Sequence, residues 1–292
     1  MSADARRGAG PDGLLLIDKP TGITSHDVVA KVRRALATRK VGHAGTLDPM
    51  ATGLLVIGVG RATRLLRFLG DLPKTYEGTL RLGIETTTLD ADGNVTREAP
   101  TEGVTDDAIR AAMEAKLGAS AQRPPAFSAV KVGGRKLYEA ARKGETLEAP
   151  ARIVRVDRFG PTGRSGDDVA FACTVSGGTY VRVLAGDVGE VLGCGAHLIA
   201  LRRTAIGPFA VDDATDPDDP GAPLPLERAV AHLPRFALER EEAVAASHGR
   251  ILAPASIEGP YGVYDPDGEL IGVYRDDGAK ARPLVILAPA GG

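Results

Sequence analysis

Residues 42–53 read GHAGTLDPMATG, and this segment separates two apolar stretches of the chain. Asp48 precedes Pro49, which pushes the backbone at Asp48 toward an extended or turn conformation. Gly45 and Gly53 permit sharp turns or the close approach of another part of the backbone. The whole string therefore predicts a rigid loop that presents one carboxylate. For an isolated Asp-Pro pair, an Asx-type turn in which the carboxylate bonds nearby N–H groups would be the simpler interpretation.

The periodicity of apolar residues predicts the elements around this loop. Continuous apolar runs indicate buried strands, and apolar side chains at helical spacing after Ser25, a candidate N-cap, indicate a helix. Strict alternation from Tyr76 onward indicates a strand with one buried face. The order is not a regular βαβ repeat, which favours an α+β fold over a doubly wound α/β fold. Strands are predicted at 13–18, 54–59, 75–85, 152–159, 168–176 and 199–206, and helices at 26–37, 61–69, 105–117, 136–143, 178–192 and 225–233.

Turn and linker residues divide the chain. Residues 212–223 are dense in Asp, Pro and Gly, a composition typical of linkers. Residues 261–264 and 270–274 flank the turn Asp-Pro-Asp-Gly and predict a β-hairpin. We therefore predict a disordered start over 1–11, a main domain over 12–232 and a small β-rich domain over 233–292.

The composition excludes several classes of protein. Hydrophobic residues make up 43% and charged residues 25%, which suits a globular protein with a sizeable core and excludes wholesale disorder. No stretch approaches the ~18 apolar residues of a membrane helix, and the start has no apolar core of the signal-peptide kind. The two cysteines are too few for a disulfide scaffold. We therefore expect a cytoplasmic protein without a membrane segment.

Charge is distributed unevenly along the chain. Residues 1–209 contain 29 Lys and Arg against 23 Asp and Glu, whereas residues 210–292 contain 7 against 15. A mildly basic front part permits nucleic-acid binding, although an ordinary solvated surface is the favoured interpretation from charge alone. The candidate phosphate contacts are Arg33, Arg34, Arg39, Lys40, Arg61, Arg64 and Arg67.

Residues 45–53 match the signature loop G-T-L-D-P-x-A-T-G of the tRNA pseudouridine-55 synthase family, bacterial enzymes that modify the T-loop of tRNA. Five further blocks resemble the same family in the same order, so the similarity covers most of residues 13–209. It implies a catalytic domain with a mixed, largely antiparallel sheet and a PUA-like C-terminal domain, although the tail is shorter and more acidic than that domain in many members. The further blocks are 16–22, 74–76, 124–131, 178–182 and 193–204.

The resemblance implies a reaction and its residues. Asp48 would be the catalytic carboxylate, and Arg182 would pair with it and lower its pKa. Tyr76 would lie against the target uracil, although its strand position alone favours a core tyrosine. Tyr180 and Leu201 resemble walls of the base pocket.

The remaining site residues implied by the family are His43 and Lys19. The target base is stacked inside a folded loop and must be flipped out, and His43 would fill the gap that it leaves. Lys19 is also predicted to be a substrate-binding residue, and we expect its role to be shaping the pocket. No His lies at a zinc-like spacing from Cys or carboxylates, so no metal is expected.

Isomerisation of uridine to pseudouridine gains and loses no atoms, so no cofactor is expected. The expected partner is the T-arm of tRNA, with a monomeric enzyme and no obligate protein partner. Two alternatives stay open: a guide-RNA-dependent relative that acts on other RNA, and an RNA-binding or RNA-folding module with vestigial catalytic residues. The absence of a second carboxylate within the loop motif weighs weakly against a glycoside hydrolase.

Overall fold

The arrangement of helices and strands is taken from a computed structural model, which describes residues 11–287 except residues 129, 142 and 146. The predicted disordered start lies outside the described residues, apart from Pro11. The helices are α1 (Ser25–Ala35), α2 (Asp106–Glu114), α3 (Leu137–Ala141), α4 (Val181–Leu192) and α5 (Arg240–Ser247), and short 3-10 helices span Gly60–Arg64, Leu66–Leu69, Val211–Asp213 and Leu226–Val230. The strands are β1 (Gly13–Lys19), β2 (Val41–Ala44), β3 (Thr52–Val59), β4 (Lys74–Leu82), β5 (Ile84–Thr86), β6 (Val95–Glu98), β7 (Gly118–Gln122), β8 (Lys131–Val132), β9 (Arg135–Lys136), β10 (Arg152–Ser165), β11 (Asp168–Val175), β12 (Ala196–Ile206), β13 (Phe209–Ala210), β14 (Arg235–Ala237), β15 (Pro260–Tyr264), β16 (Leu270–Asp277) and β17 (Lys280–Ile286).

A large sheet forms the centre of the molecule. Its strand order is β1-β3-β12-β4-β11-β10-β7, with β2 beside β3 and β13 beside β12. The pairing of β12 with β3 is parallel, and the other pairings in this sheet are antiparallel. The predicted α+β class with a mixed, largely antiparallel sheet is confirmed.

Strands β1 and β3 are covered on both faces. Leu14 and Leu16 point into one apolar cluster, while Leu15 and Ile17 point into a second cluster that also contains Val28 of α1. Burial on both faces explains why these strands are continuous apolar runs and do not alternate. The loop of residues 45–51 leaves β2 and re-enters the sheet as β3, so both ends of the loop are fixed in a covered sheet.

The predicted N-cap of α1 is wrong by one residue. Thr24 is the N-cap, because its side chain accepts from the N–H of Asp27, and the Asp27 carboxylate accepts from the Thr24 N–H in return. Ser25 is released from capping. It is buried instead, and its hydroxyl bonds both the N–H and the carbonyl of Leu47, at 2.9 and 3.3 Å.

The segment 212–223, which the composition predicted as a linker, is not free. Thr215 inside it and Leu224 just beyond its end exchange backbone hydrogen bonds with Leu14, Leu16 and Asp18 of β1, at 2.7–3.0 Å. The segment therefore satisfies the open edge of β1. Its residues are poor formers of a regular strand, which is why composition alone indicated a linker.

The C-terminal part forms a separate sheet in the order β14-β15-β16-β17. The predicted hairpin is confirmed, because β15 and β16 pair in antiparallel register. Val273 and Leu287 belong to the same apolar cluster as Leu14 and Leu54, so the two sheets share a buried core. Arg61 also donates to the carbonyl of Leu287, which ties the two sheets together.

Candidate active site

The loop that carries Asp48 is held at several points by the chain around it. Ser25 bonds Leu47 on one side of Asp48, and the Pro49 carbonyl accepts from Gly22 N–H at 2.9 Å and from Lys19 Nζ at 3.2 Å on the other. The Asp48 side chain has no hydrogen bond to a backbone N–H within the described ranges. The structure therefore shows a loop held by contacts with its surroundings and does not show an Asx-type turn.

Lys19 lies beneath this loop and is fully buried. Its ammonium group donates to the carbonyls of Pro20, Ile23 and Pro49, at 2.9, 2.7 and 3.2 Å. Burial is the main reason why the pKa of Lys19 falls to about 8, and the nearby Asp48 opposes this fall. Three carbonyl partners occupy the three donors of the ammonium group. The structure therefore places Lys19 as a support of the loop, a position that fits the expected shaping of the pocket and offers no direct contact with a substrate.

Gly53 and Arg203 join the end of the loop to β12. Gly53 has φ +98°, and a Cβ built there would lie 2.3 Å from the Arg203 carbonyl oxygen. Arg203 is itself fully buried and donates to the carbonyls of Leu54 and Gly45, at 2.7 and 3.1 Å. The glycine is thus required by the close approach of two backbones, and the arginine fixes both ends of the loop.

Arg182 is the second residue of α4, and its side chain reaches the loop that carries Asp48. Its Nε lies 3.6 Å from Asp48 Oδ2, which is an ionic contact longer than a hydrogen bond. Its Nη1 lies closer to Asp90 Oδ2, at 3.1 Å, and its Nη2 donates to the Phe127 carbonyl at 2.7 Å. The ion pair predicted from the sequence is present, but Asp90, which sequence analysis missed, is the nearer carboxylate. With its side chain 5% exposed, Arg182 is also not the surface residue that its position at a helix start could suggest.

The net effect of the site on Asp48 is opposite to the prediction. Burial raises the pKa of the Asp48 carboxyl above its ordinary value, and the Arg182 charge only partly offsets this rise. Asp90 adds to the rise by charge repulsion. The Asp48 side chain is nevertheless 35% exposed, so the carboxylate remains accessible to a ligand.

Tyr76 and Leu201 form an apolar wall beside the loop. Tyr76 is buried in the same cluster as Leu47 and Ala51, which lie on either side of Asp48 in the sequence. Leu201 is half-buried and packs against this cluster. Tyr76 is therefore a core tyrosine by packing, as its strand position indicated, and it also belongs to the group of residues around the loop that carries Asp48.

Tyr180 is the N-cap of α4, and it is half-buried close to two guanidinium groups. The Arg152 guanidinium carbon lies 4.9 Å from the centroid of the Tyr180 ring, and that of Arg182 lies 5.8 Å away. The backbone N–H and carbonyl of Tyr180 are both bonded by the side chain of Gln122. The predicted pocket wall is therefore held in place by residues that the sequence did not single out.

His43 lies in β2, two residues before the loop of residues 45–51, and its ring contacts His26 edge-to-face with centroids 5.5 Å apart. Burial lowers the pKa of His43, and the nearby His26 and Arg203 add to the effect. A neutral imidazole at physiological pH is the consequence.

Several buried polar atoms in this region have no protein hydrogen-bond partner. Such atoms are uncommon in folded proteins, and an ordered water or ion can satisfy them. Among the described residues they are His43 Nδ1, Ser128 Oγ, Arg152 Nε, Arg182 Nε and Arg203 Nη1. His43, Arg182 and Arg203 lie beside the loop that carries Asp48 or contact it. Ser128 follows Phe127, a partner of Arg182, and Arg152 contacts the Tyr180 ring.

Two of the candidate phosphate contacts serve another purpose. Arg61 pairs with Asp12 and donates to the Leu287 carbonyl, while Arg64 bonds the Ile286 carbonyl. These side chains fasten the C-terminal sheet, and their role as phosphate contacts stays a prediction. Arg34, Arg39 and Lys40 are exposed.

Residues 11–287, with their gaps, contain no group of three or more His, Cys, Asp or Glu side chains arranged as metal ligands. No helix among them is long and apolar enough to span a membrane.

Comparison with known proteins decides the family. Residues 33–181 match the family model for the N-terminal domain of TruB family pseudouridylate synthases. The chain belongs to this family. Residues 182–218 match the tRNA pseudouridylate synthase B C-terminal domain, and residues 233–288 match the C-terminal domain of tRNA pseudouridine synthase II. The protein is therefore an enzyme of the pseudouridine synthase class.

Relatives match nearly the whole chain. A tRNA pseudouridine synthase B from Mycobacterium sp. (strain KMS) is 48% identical over 97% of this chain and 99% of its own length. The protein of the same name from Mycobacterium tuberculosis (strain ATCC 25618 / H37Rv) is 47% identical over 96% and 97%. Among solved structures, the archaeal box H/ACA sRNP Nop10-Cbf5 complex contains a chain with a TM-score of 0.69 and 26% identity, covering 94% of this chain and 85% of that one.

Proposed function

We propose that the protein converts the T-loop uridine at position 55 of tRNA to pseudouridine, with Asp48 as the catalytic carboxylate. The observation that carries the proposal is the placement of Asp48, on a loop held from both sides, with its side chain 35% exposed and its carboxylate 3.6 Å from the buried Arg182 guanidinium. Tyr76, Tyr180 and Leu201 form the walls of the proposed base pocket. The relatives named tRNA pseudouridine synthase B support tRNA as the substrate.

The proposed reaction exchanges one bond for another. The bond between N1 of uracil and C1′ of the ribose breaks, the base rotates, and a bond forms between C5 and C1′. The proton on C5 is lost and N1 gains one, so no redox cofactor or nucleotide donor is required. An ionised Asp48 can bond C1′, bond the base, or accept a proton from the sugar. Each of these routes needs an ionised Asp48 beside the target nucleoside.

Access to the bond requires the uridine to leave the stack of the T-loop. Unstacking costs a few kcal/mol, and the flat imidazole of His43 offsets part of this cost by stacking in the gap. The lowered pKa of His43 favours the neutral ring, which loses less hydration when it is covered by bases. The apolar wall around Tyr76 and Leu201 limits water, which would otherwise trap the detached sugar.

The proposal extends to the organisation of the protein. Residues 12–232 form the catalytic domain, and residues 233–292 form a PUA-like domain whose last five residues lie outside the described part of the chain. The enzyme acts in the cytoplasm as a monomer on the T-arm of bare tRNA, without an obligate protein partner or a metal. Lys19 supports the pocket from below.

The test is to incubate the purified protein with an unmodified tRNA transcript and to map pseudouridine by sequence position. We expect conversion at the T-loop uridine alone, without added cofactor or metal. Asp48→Asn is expected to bind the transcript like the wild type and to make no pseudouridine. Conversion by Asp48→Asn at near the wild-type rate would overturn the role of Asp48.

The same experiment separates the alternatives. A guide-RNA-dependent enzyme would leave the bare transcript unmodified and would act only after a guide RNA is added. If the protein is an RNA-folding module, the wild type and Asp48→Asn would improve tRNA folding equally, and neither would convert uridine to pseudouridine. The 46–48% identity to proteins named tRNA pseudouridine synthase B, against 26% to a chain of the box H/ACA complex, favours activity on bare tRNA.

A further inference from the structure

The side chain of Gln122 is bonded to the backbone of Tyr180 at both of its polar ends. Gln122 is buried at the end of β7, where its Oε1 accepts from the Tyr180 N–H at 2.7 Å and its Nε2 donates to the Tyr180 carbonyl at 3.2 Å. One partner is a donor and the other an acceptor, so they fix the orientation of the amide. This matters because Tyr180, the N-cap of α4, has no side-chain capping hydrogen bond of its own.

Arg152 holds the ring of the same tyrosine. It stands directly opposite Gln122 in the antiparallel pairing of β10 with β7. Its guanidinium lies over the Tyr180 ring, 4.9 Å from the centroid, and its Nη2 donates to the carbonyl of Gly178. Gly178 has φ +81°, and a Cβ there would come within 3.2 Å of Arg152 Nη1. One pair of cross-strand neighbours therefore contacts both parts of Tyr180: Gln122 bonds the backbone, and Arg152 lies over the ring.

We propose that Gln122 and Arg152 are positioning residues for pseudouridine formation: together they form a clamp that holds Tyr180 against the flipped base. The inference rests on the proposed function, in which Tyr180 is a wall of the base pocket. Arg182 follows Tyr180 by two residues, and its guanidinium carbon lies 5.8 Å from the centroid of the Tyr180 ring. A loosened Tyr180 would leave the RNA bound by its many other contacts but misalign the base, so the clamp acts on the rate and not on affinity.

The first test concerns Gln122. We expect Gln122→Leu, which has similar volume and no polar atoms, to lower the single-turnover rate of pseudouridine formation at least tenfold, with the Kd for tRNA within about twofold of wild type. Gln122→Glu keeps the acceptor but places a carboxylate against the Tyr180 carbonyl. Protonation restores the missing donor. Its rate, expressed as a ratio to wild type at each pH, should therefore rise as the pH falls.

The second test concerns Arg152 and has a matched control on the same strand. Arg152→Met is expected to lower the rate about tenfold at unchanged Kd. Arg155→Met removes an exposed arginine that pairs with Asp157, and it should change neither quantity beyond about twofold. Equal losses in the two variants, or losses in Kd that account for the losses in rate, would contradict the clamp.

The third test does not depend on activity. Hydrogen exchange of the Tyr180 amide should be faster in free Gln122→Leu protein than in wild type, while the amides of β4 keep their protection. An unchanged Tyr180 amide overturns the clamp whatever the enzyme does. If wild-type protein makes no pseudouridine in tRNA, the proposed function fails, and the exchange measurement still decides whether Gln122 holds Tyr180. If Gln122→Leu does not fold, the pH-dependent recovery of Gln122→Glu decides the question, and its absence overturns the proposal.

Discussion

Arg182 lies closer to Asp90 than to Asp48: its Nη1 is 3.1 Å from Asp90 Oδ2, whereas its Nε is 3.6 Å from Asp48 Oδ2. Asp90 is buried, and its other oxygen accepts from the Thr88 hydroxyl. With Nη2 on the Phe127 carbonyl, two edges of the guanidinium are fixed by the protein. The remaining Nε, which has no hydrogen-bond partner among the described residues, faces Asp48. Asp90 therefore sets the direction in which Arg182 presents its charge.

This relationship predicts that Asp90→Asn slows catalysis more than it weakens binding. The neutral asparagine side chain lacks the negative charge that holds Arg182 Nη1. Arg182 therefore loses its orientation toward the Asp48 carboxylate. We expect the single-turnover rate to fall at least tenfold, about 1.4 kcal/mol of barrier, at a Kd for tRNA close to wild type.

Asp92→Asn is the matched control for Asp90→Asn. Asp92 lies two residues away in the same turn and is exposed, and it has no ion pair within the described residues. The rate of this variant should stay within about twofold of wild type. A similar loss in both variants would mean that the turn, and not the Arg182–Asp90 pair, matters for the reaction.

The direction of the Asp48 pKa shift predicts an acidic limb in the pH–rate profile. The proposed reaction needs the ionised Asp48 carboxylate, and burial raises the pKa of this group above the ordinary 3.8. The rate of pseudouridine formation should therefore fall as the pH decreases through a value above 3.8. Arg182→Gln removes the charge that opposes this rise, so its acidic limb should lie at higher pH than that of wild type. Single-turnover rates across pH check both expectations, and a limb that moves to lower pH in Arg182→Gln would contradict the assignment.

The close packing at Gly53 predicts an unusually costly glycine substitution. In Gly53→Ala the new Cβ would lie 2.3 Å from a backbone oxygen that cannot move away cheaply, and φ is positive as well. We expect a loss of about 3 kcal/mol or more in the free energy of unfolding, measured in urea. Gly22→Ala is the control, because φ is +81° there but the space is open, so only about 1 kcal/mol should be lost. Equal losses would show that the approach of β12 does not constrain the loop.

Local sequence patterns were sufficient for the elements that hold the site. The apolar runs of β1 and β3 and the helical spacing of α1 predicted their structures, because each pattern follows from which faces are buried. The resemblance in residues 45–53 correctly indicated the family, and the loop geometry follows from Asp-Pro and two glycines. Arg182 was found in the same way, because it lies within a block that matches the family.

Residues that act through distant contacts could not be predicted. Asp90 lies in a Thr-Leu-Asp-Ala-Asp-Gly string that indicates only a turn, and its pairing with Arg182 spans 92 residues. Gln122 meets Tyr180 across 58 residues, and a glutamine at the end of a short strand carries no signal of its own. The pKa direction of Asp48 was wrong for a related reason, since burial in the folded cleft outweighs the arginine that the motif suggested.

The uneven charge predicts binding to tRNA that weakens with salt and depends on particular basic residues. Phosphate contacts release counterions, so the logarithm of the association constant should fall linearly with the logarithm of the salt concentration. Arg39 and Lys40 are exposed at the turn between α1 and β2, and neither forms an ion pair with a described residue. Arg39→Ala and Lys40→Ala are each expected to reduce the slope by about one.

Arg282→Ala tests whether this effect is specific to the basic front of the molecule. Arg282 is also exposed, but it pairs with Asp277 in the C-terminal sheet. Its removal should leave the slope unchanged, because its charge is already paired with a carboxylate of the protein. Titrations of labelled tRNA at several salt concentrations measure all three variants. A slope that falls with Arg282→Ala and not with Arg39→Ala would place the RNA on the C-terminal sheet and contradict the assignment of the front surface.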